Sequence, residues 1–176
     1  SLFLYLRRTS RPDVRVRVPD PRLPKNRFNT DPALPECPQL HIVRIDGSLF
    51  YGAVGYLTER FRELERAQPD QVHLAIIATG INFIDVAGAE LLVSEAERRR
   101  ERGGGLYLIG AKAQVRRFME RGSYLTEFGE ANLFPTKAVA IRSLVARLDP
   151  GICRQCPRAV FNECPPATER EVAVTK

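Results

Sequence analysis

No run in this sequence approaches the roughly 20 consecutive apolar residues that a membrane-spanning helix requires. No secretory signal is expected either, because residues 2–6 are too short for its apolar core and no small-residue cleavage pattern follows. Neither a Ser–His–Asp arrangement nor a paired-carboxylate signature is present. Histidine is scarce. His41 and His73 both fall inside apolar stretches with no nucleophile motif nearby, which reads as half-buried structural histidine rather than a general base. The one glycine-rich run, Gly103-Gly104-Gly105, lacks the Lys-Ser/Thr of a phosphate-binding loop and precedes an apolar stretch, so it terminates a helix. Catalysis is therefore left without a constellation, and no enzyme activity is expected.

The 176 residues, 44% hydrophobic and 27% charged, suit one globular domain with tails. The net charge of +6 does not form a nucleic-acid footprint. Arg98, Arg99, Arg100 and Arg102 are interleaved with Glu95, Glu97 and Glu101, as on a solvated helix face. Aromatic residues do not alternate with basic ones as a single-strand platform needs, so no nucleic-acid partner is expected.

Four regions follow from the order of residue types. Residues 1–11 open with an apolar stub closed by Arg7, Arg8 and Arg11. That pattern suits a hydrophobic first strand or frayed terminus, and equally the cytoplasmic end of a transmembrane helix under the positive-inside rule. Residues 12–38 hold most of the prolines and read as an extended connector, in which Val14, Val16 and Val18 alternate with Arg15 and Arg17 as in a half-buried strand. Residues 39–149 alternate between the two regular periods. Strands are predicted over 40–46, 72–78 and 106–109. Helices are predicted through Val54, Leu57, Phe61 and Leu64; over 87–102; through Val115, Phe118 and Met119; and from Pro135 with Ala138, Ile141, Val145 and Leu148 turned inward. This order calls for an α/β fold, a mixed, mainly parallel sheet flanked by four to five helices. Past Pro150 the periodicity stops, and residues 150–176 read as a cysteine-bearing tail fading into disorder.

Function in such sheets gathers where strand ends meet helix starts. Here that segment is a loop from Thr79 to Gly88, with Asn82, Phe83, Asp85, Val86 and Gly88 as candidate ligand- or partner-binding residues. Asp85 is placed to cap the helix that follows, and Gly88 admits a close backbone or ligand approach. Capping alone and capping with ligand contact are both open.

The segment Phe83-Ile84-Asp85-Val86-Ala87-Gly88 resembles the Asp-x-[Ser/Thr/Ala]-Gly loop of STAS domains, shared by sulfate transporters and anti-sigma-factor antagonists. Thr9-Ser10-Arg11-Pro12 with Arg17-Val18-Pro19, Val43-Arg44-Ile45-Asp46-Gly47-Ser48-Leu49-Phe50-Tyr51, and Asn132-Leu133-Phe134-Pro135-Thr136 resemble the SulP branch in particular. The resemblance spans about residues 9–148. It implies a STAS-like fold on the cytoplasmic side of an inner-membrane SulP-type anion transporter, whose own membrane domain would be the partner. It also implies a homodimer in the full-length protein and a cytosolic protein or nucleotide as further partner. One departure matters. Where the antagonist branch carries a phosphorylated serine after the loop aspartate, this chain has Val86 and then Ala87, neither with a hydroxyl to accept phosphate. A stand-alone switch protein and a nucleotide-binding module remain the alternatives.

Cys153-x2-Cys156 followed by Cys164 is the candidate metal site, for zinc or an iron–sulfur cluster, with Cys37 as the fourth ligand. Reduced thiols with no metal are the other reading.

Overall fold

The computed structural model describes residues 10–20 and 28–166. The apolar stub of residues 1–9, residues 21–27 of the connector and residues 167–176 of the tail lie outside them. Within the connector, β1 (Asp13–Val16) pairs with β4 (Leu40–Leu49) antiparallel, Val14 opposite Ile45 and Val16 opposite Val43. Beyond it, β2 (Val18–Pro19) and β3 (Phe28–Asn29) form a separate antiparallel pair. β5 (His73–Ile84), β6 (Gly105–Ile109) and β7 (Leu133–Phe134) complete a five-stranded sheet in the order β1-β4-β5-β6-β7, parallel from β4 onward.

Parallel neighbours require crossovers, and helices supply them. α1 (Tyr51–Ala67) joins β4 to β5, and α2 (Val86–Glu101) joins β5 to β6. α3 (Ala113–Arg121), α4 (Tyr124–Phe128) and a 3-10 turn (Glu130–Asn132) lead to β7. α5 (Lys137–Val145) and α6 (Pro150–Gln155) follow.

Side chains on a strand alternate between faces, so each central strand feeds two cores. Val43 and Ile45 of β4, Leu74 and Ile76 of β5, and Leu106 and Leu108 of β6 join Leu57 and Phe61 of α1 and Leu92 of α2 in one core. Leu40, Ile42, Ala75, Ile77, Tyr107 and Ile109 meet Ile141, Leu144, Leu148 and Phe161 in the other. Burial on both faces explains why β5 reads as an unbroken apolar run.

Four expectations need correction. β4 does not stop at Asp46 but reaches Leu49, through register shifts between Arg44 and Asp46 and between Gly47 and Ser48. Gly47 enables this by adopting φ +142° where a side chain would press on Pro12. β5 does not end at Ala78. It follows β4 to Ile84, since Ile81 and Ile84 supply buried positions there, so Asn82 and Phe83 are strand residues. α5 begins after Pro135, with Thr136 as its cap accepting from the Val139 amide at 3.3 Å. That shifts its inward face to Ala140, Ile141 and Leu144 and leaves Ala138 exposed. The tail does not fade at Pro150. Asp149 caps α6 through the Gly151 and Ile152 amides, Pro150 fills the first turn, and Phe161 is buried against the second core. No helix among the described residues is long and apolar enough to cross a membrane.

Candidate functional site

The candidate site forms where β4 and β5 end side by side. Leu49 and Ile84 are register partners, and the Asp85 amide donates to the Leu49 carbonyl at 3.1 Å. The Asp85 carboxylate then serves two helices. Oδ1 accepts from the Gly88 amide at 2.9 Å and caps α2, while Oδ2 accepts from the Tyr51 amide at 3.0 Å and pins the start of α1. Gly88 is dictated by packing, because a Cβ there would lie 2.3 Å from the Leu49 carbonyl oxygen. The Asp85-x-x-Gly88 spacing is thus the joint between two crossovers.

Asn82 turns away from this joint. Its side-chain oxygen accepts from Lys112 and its carbonyl from Gln114, which tie β5 to the start of α3. Phe83 and Val86 stand 54% and 52% exposed, with Tyr51 beside them at 82%. An open groove of about 800 Å3 runs between α1 and α2 from Tyr51 and Ala87 toward Arg62 and Arg98. Tyr51 lines that groove, and with Phe83 and Val86 it offers exposed apolar contact area to a partner rather than a reacting group.

Sequence reasoning passed over one neighbour of this site. Arg44 and Asp46, two apart on β4, share a face, and the Arg44 guanidinium grips both carboxylate oxygens of Asp46 at 2.7 Å. It also donates to the Thr79 hydroxyl at 3.3 Å. This hydrogen bonding holds the Asp46 carboxyl below the usual carboxylate range. Gly80, opposite Asp46 in the register, leaves the space that carboxylate occupies. The i, i+2 charge pair within an apolar strand was the available signal.

The histidines sit at the far, amino end of the sheet. His73 begins β5 and its Nδ1 lies 2.9 Å from the Tyr107 hydroxyl; burial lowers its pKa, helped by Arg99 and Arg147. His41 Nδ1 contacts the Gln71 amide oxygen and lies 3.2 Å from Glu36. Both rings are buried, more deeply than the sequence suggests.

All four cysteines come together. Cys37, Cys153, Cys156 and Cys164 line one small cavity with Pro38, Gln39 and Leu148. Burial pushes the Cys37 thiol up to about 11 and raises Cys153, with other thiols nearby in both cases. Among the described residues no disulfide links them, and no three Cys, His, Asp or Glu side chains stand as a preformed ligand set.

A mainly parallel sheet whose carboxyl edge ends in a capped double-helix joint and exposed apolar side chains defines an interaction module. The chain belongs to the STAS domain family, whose model matches residues 31–140, well over half of it; STAS domains are regulatory or interaction domains. The fold is similar to that of the murine Solute Carrier 26 family member A9 anion transporter, with a TM-score of 0.68 at 15% identity over 82% of this chain and 24% of that one. A sulfate transporter family protein from Wolinella succinogenes aligns over 73% of this chain and 97% of its own, with 20% identity and a TM-score of 0.55. An anti-sigma factor antagonist from Mycobacterium paratuberculosis gives 0.52 at 15% identity, over 76% and 95%. The chain spans about a quarter of the transporter's length. No curated protein sequence matches it.

Proposed function

We propose that this chain is the cytoplasmic STAS module of a SulP-type secondary anion transporter, of the sulfate, bicarbonate or dicarboxylate class. The transport path lies in a membrane domain outside this sequence, near the bilayer midplane as in other secondary transporters. The module itself does not touch the anion. It docks a subunit or a cytosolic partner and biases transport through the proline-rich connector.

One observation carries this reading. The Arg44-Ile45-Asp46-Gly47 segment, by which the sequence resembles the SulP branch, is the same segment that the structure uses to seat the connector. Arg44 and Asp46 pair on the face of β4, β1 pairs with that strand, and Gly47 packs against Pro12. Residues of the connector and the core are thus matched to each other. The likeness in fold to the anion transporter over 82% of the chain supports the same reading.

The antagonist branch is the second reading, and its structures share this fold. Val86 weighs against it. A phosphorylation switch needs a hydroxyl next to Asp85, and this position holds an exposed apolar side chain. Both Asp85 oxygens are already engaged by backbone amides.

Deleting residues 10–176 from the parent transporter is the test. Assembly, trafficking or transport rate should fall while anion selectivity stays the same, measured as radiolabelled anion uptake in vesicles with competing anions. A changed selectivity rules out a module remote from the transport path. A parent gene with no hydrophobic spans upstream of Ser1 rules out the transporter reading altogether.

A further inference from the structure

The sequence contains four cysteines, and the fold collects every one of them. Cys37 lies just ahead of β4, whereas Cys153, Cys156 and Cys164 lie on α6 and the segment after it. Their common cavity is about 10 Å3, roughly the space of one water-sized sphere. Its remaining lining is Pro38, Gln39, Leu148, Ala159 and Val160, with no acid or base among them.

Polar groups beside Cys37 and Cys153 act against the burial that raises both thiols. The backbone amides of Gln39 and Leu40, two and three residues after Cys37, favour its thiolate against the burial that raises it. The Gln39 side-chain amide donates to Cys153 Sγ at 3.4 Å. The same amide spans to Asp149, donating to its carbonyl at 3.1 Å and accepting from its N–H at 2.8 Å, so it fixes the start of α6 relative to Cys37. Donors aimed at sulfur orient thiolate ligands and offset their charge. The helix also ends where a ligand turn needs it to, since Cys156 is the C-cap residue of α6, with extended backbone at φ −75° and ψ 115°. Three of the four cysteines are followed at once by proline, Pro38, Pro157 and Pro165, which holds the preceding residue out of helical conformation.

We propose that Cys37, Cys153, Cys156 and Cys164 bind one zinc ion as a tetrathiolate, stapling the C-terminal segment to the start of β4. The four cysteines line the cavity, and among the described residues no three of them stand as a preformed ligand set. Binding draws them together by rotation between staggered χ1 wells, to the ~2.3 Å zinc–sulfur distance of tetrahedral sites. Each thiol that ligates releases its proton to solvent, and no electron is exchanged. The staple links residues more than a hundred positions apart, where closing a loop constrains the unfolded chain most. It is independent of the transporter reading.

The test uses the 176-residue chain purified in reductant without chelator. Elemental analysis should find about one zinc per chain. Replacing zinc by Co(II) should give the visible bands of tetrahedral cobalt together with thiolate-to-cobalt charge transfer. Cys37→Ser should weaken zinc binding about 100-fold or more, and Gln39→Leu, which leaves every thiol in place, about 10-fold to 100-fold. Chelator should lower the unfolding temperature of the parent chain but not of Cys37→Ser. Clearly substoichiometric zinc together with no cobalt–thiolate absorption overturns the proposal, and both are measured on the parent chain whatever the variants do. Bound iron with acid-labile sulfide, or a mass lower by two hydrogens per cysteine pair, overturns it equally, since the first is a cluster and the second a disulfide.

Discussion

At the carboxyl ends of β4 and β5, polar side chains serve the backbone and apolar ones face outward. Asp85 holds two helix starts, and Tyr51, Phe83 and Val86 stand exposed around it. At the amino ends of the same strands the arrangement is inverted. Arg99 is buried to 2% exposure, pairs with Glu95 at 2.6 Å and reaches the Gln71 and Val72 carbonyls at 3.3 Å. His73 meets Tyr107, and Gln39 spans to Asp149. One end is closed by networks of buried polar groups, whereas the other keeps contact area for a partner. Stability is therefore expected to concentrate at the amino end and recognition at the carboxyl end, in keeping with the low local stability typical of binding regions.

The largest expected effect falls on the amino end. Arg99→Met removes the donor to two carbonyls and leaves Glu95 buried with only Arg98 as partner. Loss of one member of a buried pair costs about 3 kcal/mol, read as a lower urea midpoint at unchanged slope. Arg99→Met with Glu95→Gln should recover part of that loss. A single variant as stable as the parent would break the contrast between the two ends.

Gly88→Val tests the carboxyl joint itself. The added side chain meets the Leu49 backbone, which cannot yield without separating α2 from β4, so a loss of about 2 to 3 kcal/mol is expected. Asp85→Ala removes both caps and should cost about 1 to 2 kcal/mol. Asp85→Asn keeps an acceptor oxygen and should cost less. If Asp85→Ala is as stable as the parent, the carboxylate does not join the helices, and a purely ligand-binding role gains ground.

The contribution of His73 depends on pH. Burial lowers its folded-state pKa below the ordinary 6.5, so the folded chain favours the neutral ring. Above 6.5 neither state carries the proton and the contribution is complete. As pH falls through 6.5 the unfolded chain takes up the proton first, and stability drops until the lower folded value is reached. Urea midpoints at about pH 7.5 and about pH 5.5 should therefore differ more for the parent than for His73→Gln. Equal pH dependence in the two chains would locate the titrating group elsewhere.

The sequence shows the main crossovers because their periods are strong. The helix through Leu57 and Phe61 and the strand over residues 72–78 both appear where period and burial agree. It hides β7, only two residues long, because two residues cannot display a period. The ends of β4 and β5 are hidden for another reason. Asp46-Gly47 and Thr79-Gly80 carry turn-like residue types, yet they lie opposite each other and complete the pairing. A glycine that makes room for a carboxylate across a ladder looks, in one dimension, like a glycine that ends a strand. Asp85 is legible as a cap from its position alone, whereas its second bond, to Tyr51, depends on where α1 begins. Cys37 is the sharpest case. CxxC marks two of the thiols with Cys164 close behind, and the sequence offers Cys37 as a fourth only as a candidate, whereas the docking of α6 against the Gln39 side chain places it in their cavity.

The smallest expected change in stability carries the most information about the carboxyl end. Tyr51, Phe83 and Val86 are exposed, so replacing all three by serine removes little buried apolar surface. Stability should stay within about 0.5 kcal/mol per site, unlike Gly88→Val a few ångströms of chain away. Placed in the parent transporter, the same triple variant should reduce transport rate or assembly while the module remains folded by circular dichroism. The two readouts must separate for the contrast to hold. If stability falls along with transport, the patch is part of the core. If neither moves, these side chains do not form the docking surface, and the groove between α1 and α2, with Arg62 and Arg98 on its wall, becomes the place to look for it.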